Sequence, residues 1–246
     1  DLMREFYETG AAEARRTGLY VVSEPTVGGR PAKRLDVLGT YGTGQTVVSA
    51  YGMIGGGLGN EISMNSGYAT VGGGSQNRIA TYATASTITG GSSNLVTGTY
   101  TSRADQSIIG GGISNTIQNA KFASISGGAT NAISTDALYS AIAGGRLNRV
   151  GDLSEASAIG GGRGNLIGTN SSGGSIGGGH QNSVGDNATA VVIAGGYQNV
   201  VGENSGYSTI GGGIQNGISN DSARSTIAGG VGNHVASVAE RSFIGG

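Results

Sequence analysis

Twelve times along the chain an Ile or Val is followed by one small residue and a glycine, at 54, 71, 88, 109, 125, 142, 159, 176, 193, 210, 227 and 244, and in the first eleven by a second glycine. Nine of the eleven steps are 17 residues; the step from Ile88 to Ile109 is 21 and the step from Ile109 to Ile125 is 16. A short, nearly unbroken period restricts the fold to a stack of like units, each too small to bury a core alone. With the aliphatic residue as position 0, glycine stands at +2 in all twelve units and at +3 in all eleven complete ones. Position +6 is always Asn, from Asn60 to Asn233, and +8 is always Ile or Val, from Ile62 to Val235. Positions +4 and +7 accept Arg, His, Tyr, Glu, Ser or Leu. Those free positions are expected to face solvent or a variable partner.

Such a unit predicts an all-β coil. Residues −3 to 0 favour a strand, the glycines turn the chain, and +4 to +8 supply a second short strand with +6 and +8 on one face. About eleven 17-residue coils, stacked at the inter-strand spacing of about 4.8 Å, make a β-solenoid roughly 50 Å long. Glycine at +2 and +3 then serves either a positive φ or the close passage of another backbone. The Asn column has two structural explanations, a carboxamide ladder between coils and a cap on its own turn, and both stay open.

Composition agrees with this reading. Glycine supplies 51 of 246 residues without a collagen-like every-third spacing, and proline only 2. The absence of cysteine excludes a disulfide scaffold. A net charge of −1 with no basic run leaves no electrostatic footprint for nucleic acid. No apolar run approaches the roughly 20 residues of a membrane span. Asp1 opens the chain without Met or a signal peptide, and SFIGG ends it in phase within a twelfth unit, so an internal or processed piece of a longer protein is expected.

The first 50 residues differ in kind, holding 6 of the 14 basic and 6 of the 15 acidic residues and both prolines. DLMREFYETGAAEARR carries Leu2, Met3, Phe6, Tyr7 and Ala14 at helical spacing, and Leu35, Val37 and Tyr41 alternate as in a strand. The division is therefore residues 1–50, an N-terminal neck or cap with a short helix and a strand, and 51–246, the repeat solenoid. A cap is needed because an unpaired end coil exposes a sheet edge.

Two obligatory aliphatic residues per coil make a thin core, since ordering each residue costs about 1–2 kcal/mol of backbone entropy. Small residues recur at −2, among them Ser107, Ala123, Ser140, Ser157, Gly174, Ser208 and Ser225. Together these features predict close packing between chains, as an intertwined homotrimer.

The units resemble the left-handed β-roll of trimeric autotransporter adhesin heads, which have short two-strand coils, a small-residue turn and Asn ladders. Those repeats are usually 14 or 15 residues and less glycine-dense. PAKRLDVLGTYGTG resembles the RLDVxG-type lead-in before the fibre domains of phage tail fibres and bacterial surface fibres. The first resemblance covers residues 51–246 and the second about six residues; together they imply an extracellular, cell-surface or virion-surface fibre. A rigid spacer that binds a cell-surface glycan or host receptor is then the expected function, with no catalytic, cofactor or metal-binding residues.

Specific candidates stand against that background. The four extra residues of the long step fall in VTGTYTSRADQSI, residues 96–108, where Tyr100, Arg103 and Asp105 join an aromatic face to both charge signs as a receptor contact. Asp186 and Glu203 both occupy +10 in neighbouring coils, about 5 Å apart, the separation a retaining glycosidase needs; this is the tailspike alternative, against ordinary turn residues. Arg146 and Arg163 share +4 and would suit a sulfate or sugar acid, against a solvated surface. His180 and His234, at +4 and +7 three coils apart, make no metal site. Thr70, Thr87, Thr209 and Thr226 at −1 hint at an ice-binding face, but other residue types interrupt them.

Overall fold

The structure, a computed structural model, describes residues 26–27, 30–31 and 44–246. Thr26–Val27 and Arg30–Pro31 pair antiparallel. The helix expected within 1–16 and the strand expected around Leu35 and Val37 lie outside the described residues.

Everything from 44 onward is solenoid. Two parallel sheets of twelve strands run its length, one built from positions −1 and 0, Met53–Ile54 to Phe243–Ile244, the other from +7 and +8, Thr46–Val47 to His234–Val235. The second sheet takes in Thr46–Val47, paired with Glu61–Ile62, inside the stretch read as neck. Each strand pairs in register with its counterpart one coil away, as Ile193 does with Ile210 and Val201 with Ile218. Nearly all strands are two residues long, so each has one outward and one buried side chain. That is why +7 and −1 vary while +8 and 0 are always aliphatic or nearly so. A third ladder of single bridges joins the +4 residues from Leu58 to Val231.

The core is a single file of side chains per column. Ile or Val at 0 and +8 and Asn at +6 point inward and are buried. So do the small residues at −2: Ser86, Ser107, Ser140, Ser157, Ser208 and Ser225 are each 1% exposed or less. These residues were expected to pack between chains; they instead close the interior of one chain. A further inward column sits at +12, where Ser66, Ala83, Ala137, Ser154, Ser171, Ala188, Ser205 and Ser222 are buried. Two small columns against two aliphatic ones explain how a 17-residue loop closes with only two large side chains.

The buried polar groups are paired in ladders. Asn165 Nδ2 donates to Gly161 O in its own coil at 2.8 Å and to Gly179 O in the next at 3.1 Å. Its Oδ1 accepts the backbone N–H of Asn182 at 3.0 Å. The carboxamide is thus both turn cap and inter-coil rung. Serine repeats the device with one hydroxyl: Ser171 Oγ donates to Gly185 O at 2.6 Å and accepts the Ala188 N–H at 3.1 Å. At −2, Ser157 Oγ donates to Ser171 O and accepts the Gly174 N–H, both at 3.2 Å. The hydroxyls and amides of these columns therefore bond to one another and to backbone inside the core.

Corners use left-handed backbone. In the coil that follows Ile193, Gln198 (φ 54), Asn204 (φ 56) and Tyr207 (φ 58) are left-handed, and +5, +11 and −3 repeat this along the rod. Strand N–H groups donate forward, as Val200 does to Asn216 O. Corner N–H groups donate backward instead, Gln198 to His180 O, Asn204 to Asp186 O and Tyr207 to Thr189 O, at 2.8–3.0 Å. The corners are thereby tied to the previous coil, which offsets the cost of left-handed non-glycine residues.

Candidate functional site

The solenoid converts the variable strand and corner positions, such as −3, −1, +4, +5 and +7, into outward columns with one side chain per coil. A site must therefore be assembled from adjacent columns or from the one loop that leaves them.

That loop is the insertion. Thr99 to Ser102 form a turn in which the Thr99 N–H donates to Ser102 O at 2.7 Å, and Tyr100 projects with 81% of its surface exposed. Its ring meets Tyr82 edge to face at 5.9 Å. Arg103 and Asp105 behave differently from Tyr100. They pair with each other at 3.0 Å, Arg103 Nη2 reaches Thr84 Oγ1 at 3.2 Å, and Asp105 Oδ1 accepts the Thr84 N–H at 2.9 Å. Both charged groups bind back onto the rod, and Tyr100 alone points to solvent. Ser102 Oγ donates to Asp136 Oδ1 at 2.9 Å, two coils further on. The coil passed over is the short one, in which Asn119 takes the +11 corner one residue early. The long and short steps are therefore one feature, an extra loop laid across a shortened turn.

The remaining candidates are dispersed by the same geometry. Arg146 and Arg163 are bridged neighbours in the +4 ladder and both exposed. His180 continues that ladder and meets Tyr197 edge to face at 5.3 Å. His234 lies in the second sheet, and among the described residues no group of three His, Cys, Asp or Glu could hold a metal ion. Asp186 and Glu203 stand exposed at the outer turn. Asp186 Oδ1 is engaged by the Thr169 N–H at 2.7 Å, and the Glu203 N–H donates in the same way to Asn220 Oδ1 at 3.1 Å. Position +10 is thus a capping column, in which Asp152 also accepts from Thr135. Thr70 pairs with Thr87 and Thr209 with Thr226, two short runs separated by Ile108, Ala141, Ala158 and Val192 at the same position.

Two outward arrays went unread in the sequence. At −3 the rings of Tyr51 and Tyr68 stack at 4.8 Å and those of Phe122 and Tyr139 at 4.9 Å, while Arg224 lies over Tyr207 at 5.9 Å. At +5, Gln198 Nε2 donates to Gln181 Oε1 and Gln215 Nε2 to Gln198 Oε1, both at 3.2 Å. Beside this Gln row the +7 column reads Val200, Gly217, His234, and the missing side chain at Gly217 leaves a shallow, open groove of about 740 Å³. Its far wall holds Ser219, whose Oγ lies 2.9 Å from His234 Nε2. The signal was present as identical Gln residues at 181, 198 and 215, but its meaning required knowing that +5 and +7 border one depression.

No protein-family model matches the chain, and no curated protein is similar to it at a significant level. Fold and surface define the class by themselves: a parallel β-solenoid rod whose core is uniform and whose outer columns vary. Among the described residues no helix is long and apolar enough to cross a membrane.

Proposed function

We propose that the chain is a segment of a non-enzymatic extracellular fibre, at a bacterial or virion surface, that acts as a rigid spacer and binds a cell-surface glycan. The observation that carries this reading is the continuity of the stack. Both twelve-stranded sheets keep register through a 21-residue and a 16-residue step, so irregularity is absorbed at the surface and the rod is preserved. Inward positions 0, +6 and +8 are held to one or two residue types and −2 almost wholly to small ones, while outward positions change from coil to coil, as suits a scaffold whose interior bears load and whose exterior recognises. The likeness of the units to trimeric autotransporter adhesin heads and of the lead-in to phage tail fibres supports the same assignment. A homotrimer remains part of the proposal. Its support is now the exposed apolar side chains along the rod, such as Leu58, Ile113, Ile214 and Val231 at +4, since the small −2 residues are spent inside the chain.

A glycan array probed with the purified rod, beside a reducing-sugar release assay on the glycans that bind, tests the function. Binding without release is expected. Release of reducing ends that disappears in Asp186→Asn or Glu203→Gln would establish the tailspike alternative instead.

A further inference from the structure

The groove over Gly217 is a concavity in which several columns converge, and its chemistry is specific. We propose that it is the glycan-binding site of the rod and that it takes a neutral oligosaccharide; this rests on the fibre-adhesin reading above. The groove is lined from Gln181 to His234 across four consecutive coils, about 14 Å along the rod at three inter-strand spacings. That is the length of a short oligosaccharide lying parallel to the axis.

Its walls carry amides, hydroxyls and an imidazole, with no carboxylate, ammonium or guanidinium among the lining residues. A surface of this kind has little to offer a phosphate, a sulfate or a metal ion. It does offer closely spaced donors and acceptors, the pattern that matches the hydroxyls of a neutral sugar. The donors are also oriented in advance. Each Gln of the row is held by its neighbour at 3.2 Å and retains a second N–H and a second carbonyl lone pair. A hydrogen bond to Ser219 places the His234 imidazole at the edge of the floor. Side chains already ordered lose less entropy on binding. Val200 and the His234 ring supply apolar area for the C–H face of a sugar ring.

Gly217 provides a test that leaves the fold alone. Unlike the turn glycines it is not left-handed, and the same +7 position holds Leu95, Leu166 and Val200 in other coils. A Cβ there would meet only the movable His234 ring, at 2.9 Å. Gly217→Leu should therefore fill the groove and keep the stack.

The experiment is an array of neutral, sialylated and sulfated glycans, followed by NMR titration of the neutral oligosaccharides that bind. Wild type, Gly217→Leu, the double variant Gln198→Ala/Gln215→Ala and Tyr100→Ala are compared, with thermal melts for each. The expected result is neutral-glycan binding weakened by about tenfold or more in Gly217→Leu at an unchanged melting temperature, and retained in Tyr100→Ala. If Gly217→Leu shifts the melt, the double Gln variant reads the same groove from its exposed rim. Binding that survives both groove variants but is lost in Tyr100→Ala overturns this site and keeps the adhesin reading, moving recognition to the loop. Binding confined to sialylated or sulfated glycans overturns the neutral assignment. No binding by wild type overturns both this site and the glycan-binding part of the proposed function, leaving the spacer.

Discussion

Gly178 and Gly179 look interchangeable in the sequence, yet their constraints differ. Gly178 has φ +149, and a Cβ there would make only ordinary contact, 3.9 Å from Gly161 O. Gly179 has φ +88, and a Cβ there would overlap Gly196 O of the next coil and lie 2.8 Å from Asn182 Nδ2. Gly178→Ala should cost about 1–3 kcal/mol through its φ alone, whereas Gly179→Ala should cost more than about 3 kcal/mol because the overlapping atom is backbone. His180→Val, at an outward bridge position, should stay within about 1 kcal/mol. Thermal melts of the three variants check the order, and equal melting temperatures for the two glycine variants would contradict it. Asn165 gives a second residue-scale test. Its Nδ2 faces Gly161 O, Gly179 O and Asn148 Oδ1, all acceptors within 2.8–3.1 Å. Asn165→Asp would place a buried carboxylate against them, at a cost of more than about 3 kcal/mol near neutral pH. Burial among acceptors raises that carboxyl's folded-state pKa above its unfolded value. The folded state then binds more protons than the unfolded one, so the deficit should shrink as pH falls toward the unfolded carboxyl's range and grow as pH rises. A deficit independent of pH would mean that the side chain has left the core.

At the scale of the coil, the insertion at 99–102 sits between Gly98, which donates to Thr81 O, and Ala104, which donates to Tyr82 O. Both flanking contacts tie the chain to the preceding coil on either side of the loop, so deleting Thr99–Ser102 should leave a folded rod. The loss should be confined to the Ser102–Asp136 bond and the cover over the short coil, about 1–2 kcal/mol. Hydrogen exchange should show faster opening near Asn119 and Asp136 and little change beyond Ile159. Global unfolding after the deletion would make the loop a structural brace. The outward course of this loop was legible from its place between +8 and −3. The inward anchoring of Arg103 and Asp105 was not, because it depends on Thr84, which only coil stacking brings beside them.

For the whole molecule, mass and length are the decisive observables. The proposed homotrimer should sediment at three times the 24.2 kDa chain mass, and small-angle scattering should give a rod with a solenoid about 50 Å long. A stable, folded species at the single-chain mass would refute the trimer. The buried −2 and +12 columns make that test sharper, since one chain already encloses its own core. Any trimer must form through outer columns, and charged substitutions at Ile113 and Ile214 should then dissociate it without unfolding the coils.

The sequence by itself determined the coil period, the two short strands per coil, the aliphatic pair at 0 and +8, and the Asn column. It did so because like residues one period apart must stack at one strand spacing, so a repeated letter becomes a physical row. Only the tertiary structure decided the directions taken by residues at the corners. In a strand, alternation tells inside from outside; at Gln198, Asn204 and Tyr207 the backbone is left-handed and alternation no longer holds. For that reason the small −2 side chains turned out to close the core and +12 joined them, although +12 is strictly Ser or Ala in the regular coils. For the same reason the groove over Gly217 became visible only once +5, +7 and +9 were seen to border one depression. A missing side chain matters according to what its neighbours enclose, and the neighbours of Gly217 come from other coils.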